Sequence, residues 1–269
     1  MRPQVCKEGG WLVGRLPIVL AVLGLLVAAG CDNSNTRPDK AAFDDGYAAF
    51  QNNQWQRATD GFTRYLRSDP NAAARGEVYY YRGEALVHLN RRPEAMADFQ
   101  RALAAKVKQP IEAYTYVAVG NLYYEEGNDA KAITAYDAAI KGPQDELPME
   151  MLLLRLGTSL QRLGNWSAAD RYLGPLIDRY PKSPAAPEAR RRYKADSFTV
   201  QTGAYSSLST AQQEAQRVRA AGFTPRLGES KRGTQVLYTV QVGKARTYAE
   251  ALGQAQLLTR AGFAALIVP

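Results

Sequence analysis

The residues best equipped for chemistry are few and scattered. Two adjacent carboxylate pairs, Asp44/Asp45 and Glu125/Glu126, carry the residue types a glycosidase uses as acid and nucleophile. Neighbours on a helix diverge by about 100°, so neither pair faces across a substrate. His88 is the single histidine in 269 residues, which leaves it no partner for a His-based metal site or a triad. Cys6 and Cys31 lie too far apart for a CxxC redox pair or a zinc ribbon. No catalytic residue, metal ligand or cofactor is assigned, and the chain is expected to be a non-enzyme. What remains is recognition chemistry, amides and hydroxyls in strand-like segments near the C-terminus and aromatic and polar residues in helical ones before it.

Composition permits folded domains to position these groups. At 46% apolar and 22% charged, the chain can bury a sizeable core, and its length suits one or two domains. The net charge of +8 is concentrated late, because residues 198–269 hold eight Lys/Arg against three Asp/Glu. That excess attracts polyanions and isolated carboxylates.

The first thirty residues read as an address. Arg2, Lys7 and Arg15 precede an uncharged run from Leu16 to Gly30, too short for the roughly 20 residues of a bilayer span and suited to a signal segment. The run ends A-A-G-C. This resembles a bacterial lipobox, which implies cleavage before Cys31 and a lipid anchor on its thiol. Residues 31–38 then form a polar tether.

Residues 39–197 contain a repeat. Gly46, Gly83, Gly120 and Gly157 are 37 residues apart, as are Ala58, Ala95, Ala132 and Ala169, and Phe62, Phe99, Tyr136 and Leu173. Each unit reads as two helices, with small columns where the pair crosses and the aromatic column filling the gap to the next pair. Pro93 opens a second helix, and PAAPEARRRYK reads as a basic capping helix. The pattern, with Pro70 and Pro181 closing units one and four, resembles the tetratricopeptide repeat (TPR). That resemblance implies a groove, lined by first helices, that holds a protein or peptide partner. Its columns fall on Tyr47, Phe50, Tyr80, Glu84, Val87, His88, Asn121, Tyr124, Glu125, Thr158, Gln161 and Arg162. Packing between neighbouring helices is the other role open to Tyr47, Phe50, Tyr80 and Tyr124.

The last seventy residues also repeat. FTVQTG at 198–203 matches YTVQVG at 238–243, and AGF at 221–223 matches AGF at 261–263. Each half is strand–helix–strand, with helices expected near 209–221 and 247–261. Together they predict a four-stranded sheet with both helices on one face. Alternation places Phe198, Val200 and Thr202 toward the core, and Thr199, Gln201, Leu237, Thr239 and Gln241 on the open face. Such a face suits a polar, uncharged polymer. It lacks the aromatic platforms that nucleic acid requires, so no nucleic-acid partner is expected. The segment resembles the SPOR (sporulation-related) family, whose open face binds peptidoglycan glycan strands stripped of their stem peptides, often at division sites. Under that resemblance Gln201 matches the family glutamine and Tyr205 the aromatic after the glycine.

The expected architecture is therefore multidomain, an all-α TPR solenoid followed by an α+β, ferredoxin-like βαββαβ domain at 198–269. The expected function is a periplasm-facing lipoprotein of the cell envelope, docking on peptidoglycan and scaffolding a protein partner in division or envelope maintenance. A pure interaction scaffold without glycan binding is the alternative.

Overall fold

The computed structural model describes residues 39–68, 74–232 and 235–269. The signal segment, the tether with Cys31, and Pro70 lie outside the described residues. Eight helices form four hairpins: α1 (Lys40–Gln51) with α2 (Trp55–Ser68), α3 (Arg75–His88) with α4 (Arg92–Ala104), α5 (Ile111–Glu125) with α6 (Asp129–Ile140), and α7 (Met149–Arg162) with α8 (Trp166–Arg179). The first helices α1, α3, α5 and α7 neighbour one another in succession and form one layer of the solenoid.

The periodic columns explain each hairpin. Ala58, Ala95, Ala132 and Ala169 are fully buried, as are Phe62, Phe99, Tyr136 and Leu173. The large column packs toward the next pair, Phe62 against Tyr81 of α3 at 6.1 Å, Phe99 in one core with Ala118 and Leu122 of α5, and Tyr136 with Leu152 and Leu156 of α7, and it also packs within its own pair. Each large side chain lies on the glycine of its own unit: a Cβ added to Gly83 would stand 2.6 Å from Phe99, and one on Gly120 would stand 2.5 Å from Tyr136. The glycine is thus the socket that lets two helices of a hairpin close.

A fourth column sits in the turns. Asn53, Asn90, Gly127 and Gly164 all adopt positive φ, at 57°, 58°, 74° and 80°. In each turn the following N–H reaches back to a carbonyl of the first helix, Gln54 to Ala49, Arg91 to Leu86, Asn128 to Tyr123 and Asn165 to Leu160, at 2.8–2.9 Å. This left-handed C-terminal cap satisfies carbonyls the helix would otherwise strand, and asparagine and glycine tolerate it best. Elsewhere, Asp98 is 1% exposed and takes a bidentate pair from Arg82, 2.6 and 2.8 Å, and one bond from Arg101. Arg82 also donates to Thr63, so three helices are clamped together.

The expected capping helix is α9 (Ala186–Arg192). Ala186 and Ala189 are buried under it, and the Gln161 amide donates to the Arg192 carbonyl at 2.8 Å. The sheet domain follows: β1 (Phe198–Tyr205), α10 (Leu208–Ala220), β2 (Pro225–Arg232), β3 (Gln235–Ala245), α11 (Tyr248–Arg260) and β4 (Leu266–Val268). Its strands are antiparallel in the order β2-β3-β1-β4. Val200, Val240 and Val242 pack on Ala211, Ala215 and Val218 of α10 and on Ala255 and Leu258 of α11, so one face of the sheet carries both helices.

Solenoid and sheet domain share a small core. The Trp166 indole donates to the Arg246 carbonyl at 2.9 Å, and its ring lies 4.8 Å from Phe198, which meets Tyr248 edge-on. The Arg162 guanidinium lies over Tyr124 of α5 at 4.6 Å and over Tyr248 of α11 at 5.3 Å.

Candidate functional site

Two surfaces gather the residues singled out by their types. The first is the sheet face away from α10 and α11. Backbone register sets a row across all four strands: Arg226 on β2 pairs with Gln241 on β3, Gln241 with Gln201 on β1, and Gln201 with Leu266 on β4. A second row is Gly228, Thr239 and Ala204, and a third is Ser230 with Leu237. Thr199, two residues before Gln201, stands opposite Val268. No carboxylate shares these rows, and the first of them holds two adjacent amides, the Arg226 guanidinium and an apolar end at Leu266, 60% exposed.

Two assignments on this face are corrected. Tyr205 lies on the helix side. A bulge between Gln201 and Gly203 shifts the β1–β3 pairing by one residue and reverses the alternation beyond it. Tyr205 then pairs with Tyr238 and packs on the helix-side core, and burial raises its phenol above the ordinary value. Thr239 keeps its face but is 2% exposed, so its hydroxyl is not presented to solvent. It sits on a central strand beside Gly228, where an added Cβ would stand 3.0 Å from its Oγ1 and 3.8 Å from the Gln241 amide oxygen. Among the described residues Thr239 Oγ1 has no hydrogen-bond partner.

Arg226, Gly228 and Leu266 escaped the sequence reading. PRLGESKR has no apolar alternation to reveal its inward side, since β2 is an edge strand. Its pairing with the well-patterned VLYTVQVG is the signal that could have found Arg226 and Gly228.

The second surface is the layer of first helices. Tyr80 and Glu84 of α3, Tyr114, Val117, Ala118 and Asn121 of α5, and Pro148 just before α7 line a cleft of about 160 Å³. The Tyr80 and Tyr114 rings lie 6.3 Å apart and 27° from parallel. Asn121 is held in place by accepting the Tyr136 hydroxyl at 2.9 Å. Burial pushes the Glu84 carboxyl up to about 7, and raises the Tyr80 phenol far above its ordinary value.

The other groove residues divide. Tyr47 and Phe50 join Phe43, Trp55, Phe62 and Tyr81 in an aromatic cluster between α1, α2 and α3, so their role is packing. Thr158 is 3% exposed and Gln161 is fully buried, which removes both from the groove; the capping helix uses Gln161 instead. His88 is exposed but stacked on Trp55 at 3.9 Å. Tyr124 and Arg162 stack together at the junction with the sheet domain, and Glu125 pairs with Arg92 at 2.8 Å. Val87 packs partly buried on the core around Phe99. Among the described residues no group of three or more His, Cys, Asp or Glu could hold a metal ion.

Residues 194–269 match the model of the SPOR domain, and residues 152–183 match a model of the tetratricopeptide repeat. Among solved structures the chain is similar to PilF of Pseudomonas aeruginosa, with 18% identity and a TM-score of 0.51, over 59% of this chain and 68% of that one. It is similar to YrrB, a TPR protein with an unusual peptide-binding site, with 16% identity and a TM-score of 0.50, over 60% of this chain and 76% of that one. A tetratricopeptide repeat protein from Parabacteroides merdae matches with 16% identity and a TM-score of 0.49 over 57% of this chain, and this chain spans 57% of that protein's length. At these identities the likeness to PilF and YrrB shows the fold of the solenoid and nothing further. No curated protein sequence matches the chain.

Proposed function

We propose that this protein, in which a tetratricopeptide solenoid runs into a SPOR domain, binds peptidoglycan glycan strands through the open sheet face and holds a protein segment in the solenoid groove. The observation that carries the reading is the row Arg226, Gln241, Gln201, Leu266. Adjacent amides both donate to and accept from sugar hydroxyls and N-acetyl groups. Arg226 offers a charged partner to the lactyl carboxylate of muramic acid. Leu266 offers an apolar surface to a sugar ring, and Thr199 and Leu237 extend the face on either side. For the groove, the support is the aromatic and polar cleft of the first helices, together with the peptide-binding site of the similarly folded YrrB.

The protein acts in this reading by binding rather than catalysis. The carboxylate pairs are occupied with other work: Asp45 is held by Arg57 and Arg64, which lower its pKa, and Glu125 is held by Arg92. The A-A-G-C run supports a lipid anchor at Cys31, and with it a membrane-anchored place in the cell envelope facing the periplasm, in division or wall maintenance. Cys31→Ala would then abolish incorporation of a tagged fatty acid; unchanged labelling would remove the anchor from the proposal.

Co-sedimentation of the full-length protein with sacculi tests the glycan reading. Amidase treatment, which strips stem peptides, should increase the bound fraction. The triple variant Gln201→Ala, Arg226→Ala, Gln241→Ala should release it, at about 1 kcal/mol per lost hydrogen bond. Equal pelleting by wild type and triple variant would defeat the site assignment, and no pelleting by wild type would favour a pure interaction scaffold.

A further inference from the structure

We propose that the cleft between α3 and α5 is a receptor for one cationic side chain, the lysine or arginine of an extended protein segment lying in the groove. This rests on the reading of the groove as a protein-binding surface and names what it selects. The argument begins with an unpaired charge. Asp45, Glu94, Asp98, Glu125 and Asp129 of the solenoid each sit against an arginine. Glu84 has no cation against it among the described residues, in a protein with 34 Lys/Arg and 26 Asp/Glu. Burial is the sole cause of its raised pKa.

The walls complete the receptor. Tyr80 and Tyr114, 6.3 Å apart and 27° from parallel, line the same cleft as the carboxylate, a setting in which cations are attracted to π-systems as well as to the charge. Asn121 adds a polar wall without charge, its Oδ1 accepting the Tyr136 hydroxyl. Arg155 and Arg162 of α7 lie over Tyr124 instead. At about 160 Å³ the cleft is smaller than the roughly 300–1,000 Å³ of small-molecule sites, and it accommodates the tip of a side chain.

The pairing makes binding depend on pH in a definite direction. A cation favours the ionised carboxylate, so affinity is full above the Glu84 pKa of about 7 and falls as pH drops below it. Tyr80 and Tyr114 also line the cleft, and both phenols are pushed upward, first by burial, so they stay neutral across this range. Exposed Glu146, which accepts the Tyr114 hydroxyl at 3.2 Å, is retained in Glu84→Gln and so is separated by that variant. His88, one turn along α3, is stacked on Trp55, and a Glu84→Gln variant retains it, which separates its contribution.

The experiment is an NMR titration of the full-length protein with three capped Gly/Ser peptides carrying a single central lysine, norleucine or glutamate, to about 10 mM. The lysine peptide should bind about tenfold tighter than the norleucine peptide at pH 8, with a loss of about fivefold by pH 6. Glu84→Gln should bring lysine and norleucine within about twofold at both pH values. Equal binding of all three peptides by the wild type overturns the cationic receptor and leaves the groove as a protein-binding surface. A lysine preference that survives Glu84→Gln overturns the assignment to this cleft. Binding of none of the peptides overturns both readings.

Discussion

Glu84→Gln should make the protein more stable at neutral pH and leave its stability in acid unchanged. The folded carboxyl titrates near 7, against an ordinary value of 4.5. Between those pH values the folded state retains a proton that the unfolded chain has released. Stability therefore falls as pH rises through this window and is level above it. At about 1.4 kcal/mol per pH unit the full penalty is roughly 3 kcal/mol. Water reaching the half-buried carboxylate reduces it to about 1–3 kcal/mol. Glutamine keeps the shape of the side chain and carries no charge, so it escapes the penalty. Urea denaturation followed by far-UV circular dichroism, at about pH 4, 6 and 8, measures the difference between variant and wild type. That difference should be near zero in acid and grow to its full value above neutrality. Other titrating groups, such as Asp129 with its own raised pKa, are common to both proteins and cancel. An offset constant from acid to alkaline pH, or a variant weaker than wild type at pH 8, would refute the isolation of Glu84.

Gly120→Ala places a methyl 2.5 Å from the Tyr136 ring and should cost about 1–3 kcal/mol in thermal denaturation, as the hairpin is forced open. Gly253→Ala in α11 meets nothing within 4 Å and should instead stabilise by about 0.5–1 kcal/mol, since only backbone freedom is removed. Asp98→Ala strands Arg82 and Arg101 against a clamp with no anion and should cost about 3–5 kcal/mol by the same measurement.

The repeat was legible because each column answers one steric demand four times over. A single glycine says little, but four at equal spacing, each matched by a large residue sixteen positions later, describe a socket and its plug. What the columns did not disclose was which hairpin supplies the plug, since spacing alone is compatible with contact inside a unit or between units. The turn column at Asn53, Asn90, Gly127 and Gly164 was present in the same period and went unread. In the sheet domain, alternation placed Gln201 and Gln241 on one face, and the strand register makes them neighbours there. The family resemblance misplaced Tyr205, because a one-residue bulge is a property of the pairing and leaves no mark on the motif. Thr239 faced the expected way, but burial on a central strand depends on neighbours that the strand's own sequence does not name. Glu84 was visible as a position in a column, whereas its lack of a counter-ion depends on where the arginines of neighbouring helices reach, as Arg155 and Arg162 do over Tyr124, which no column records.

The junction at Trp166 bears on how the protein would choose what it joins. A flexible linker of n residues lets its ends wander over roughly 5–6 Å × √n, and so forgives any spacing between two targets. Here the indole hydrogen bond, the Trp166–Phe198 contact and Arg162 between Tyr124 and Tyr248 replace that freedom with a fixed joint. For a chain that grips two objects at once, the second contact forms only when they stand at the separation the joint dictates, and avidity vanishes at any other. Distance itself becomes a criterion of recognition: a protein bearing the right segment, but holding it too far from the wall or too close, would be gripped by one hand alone.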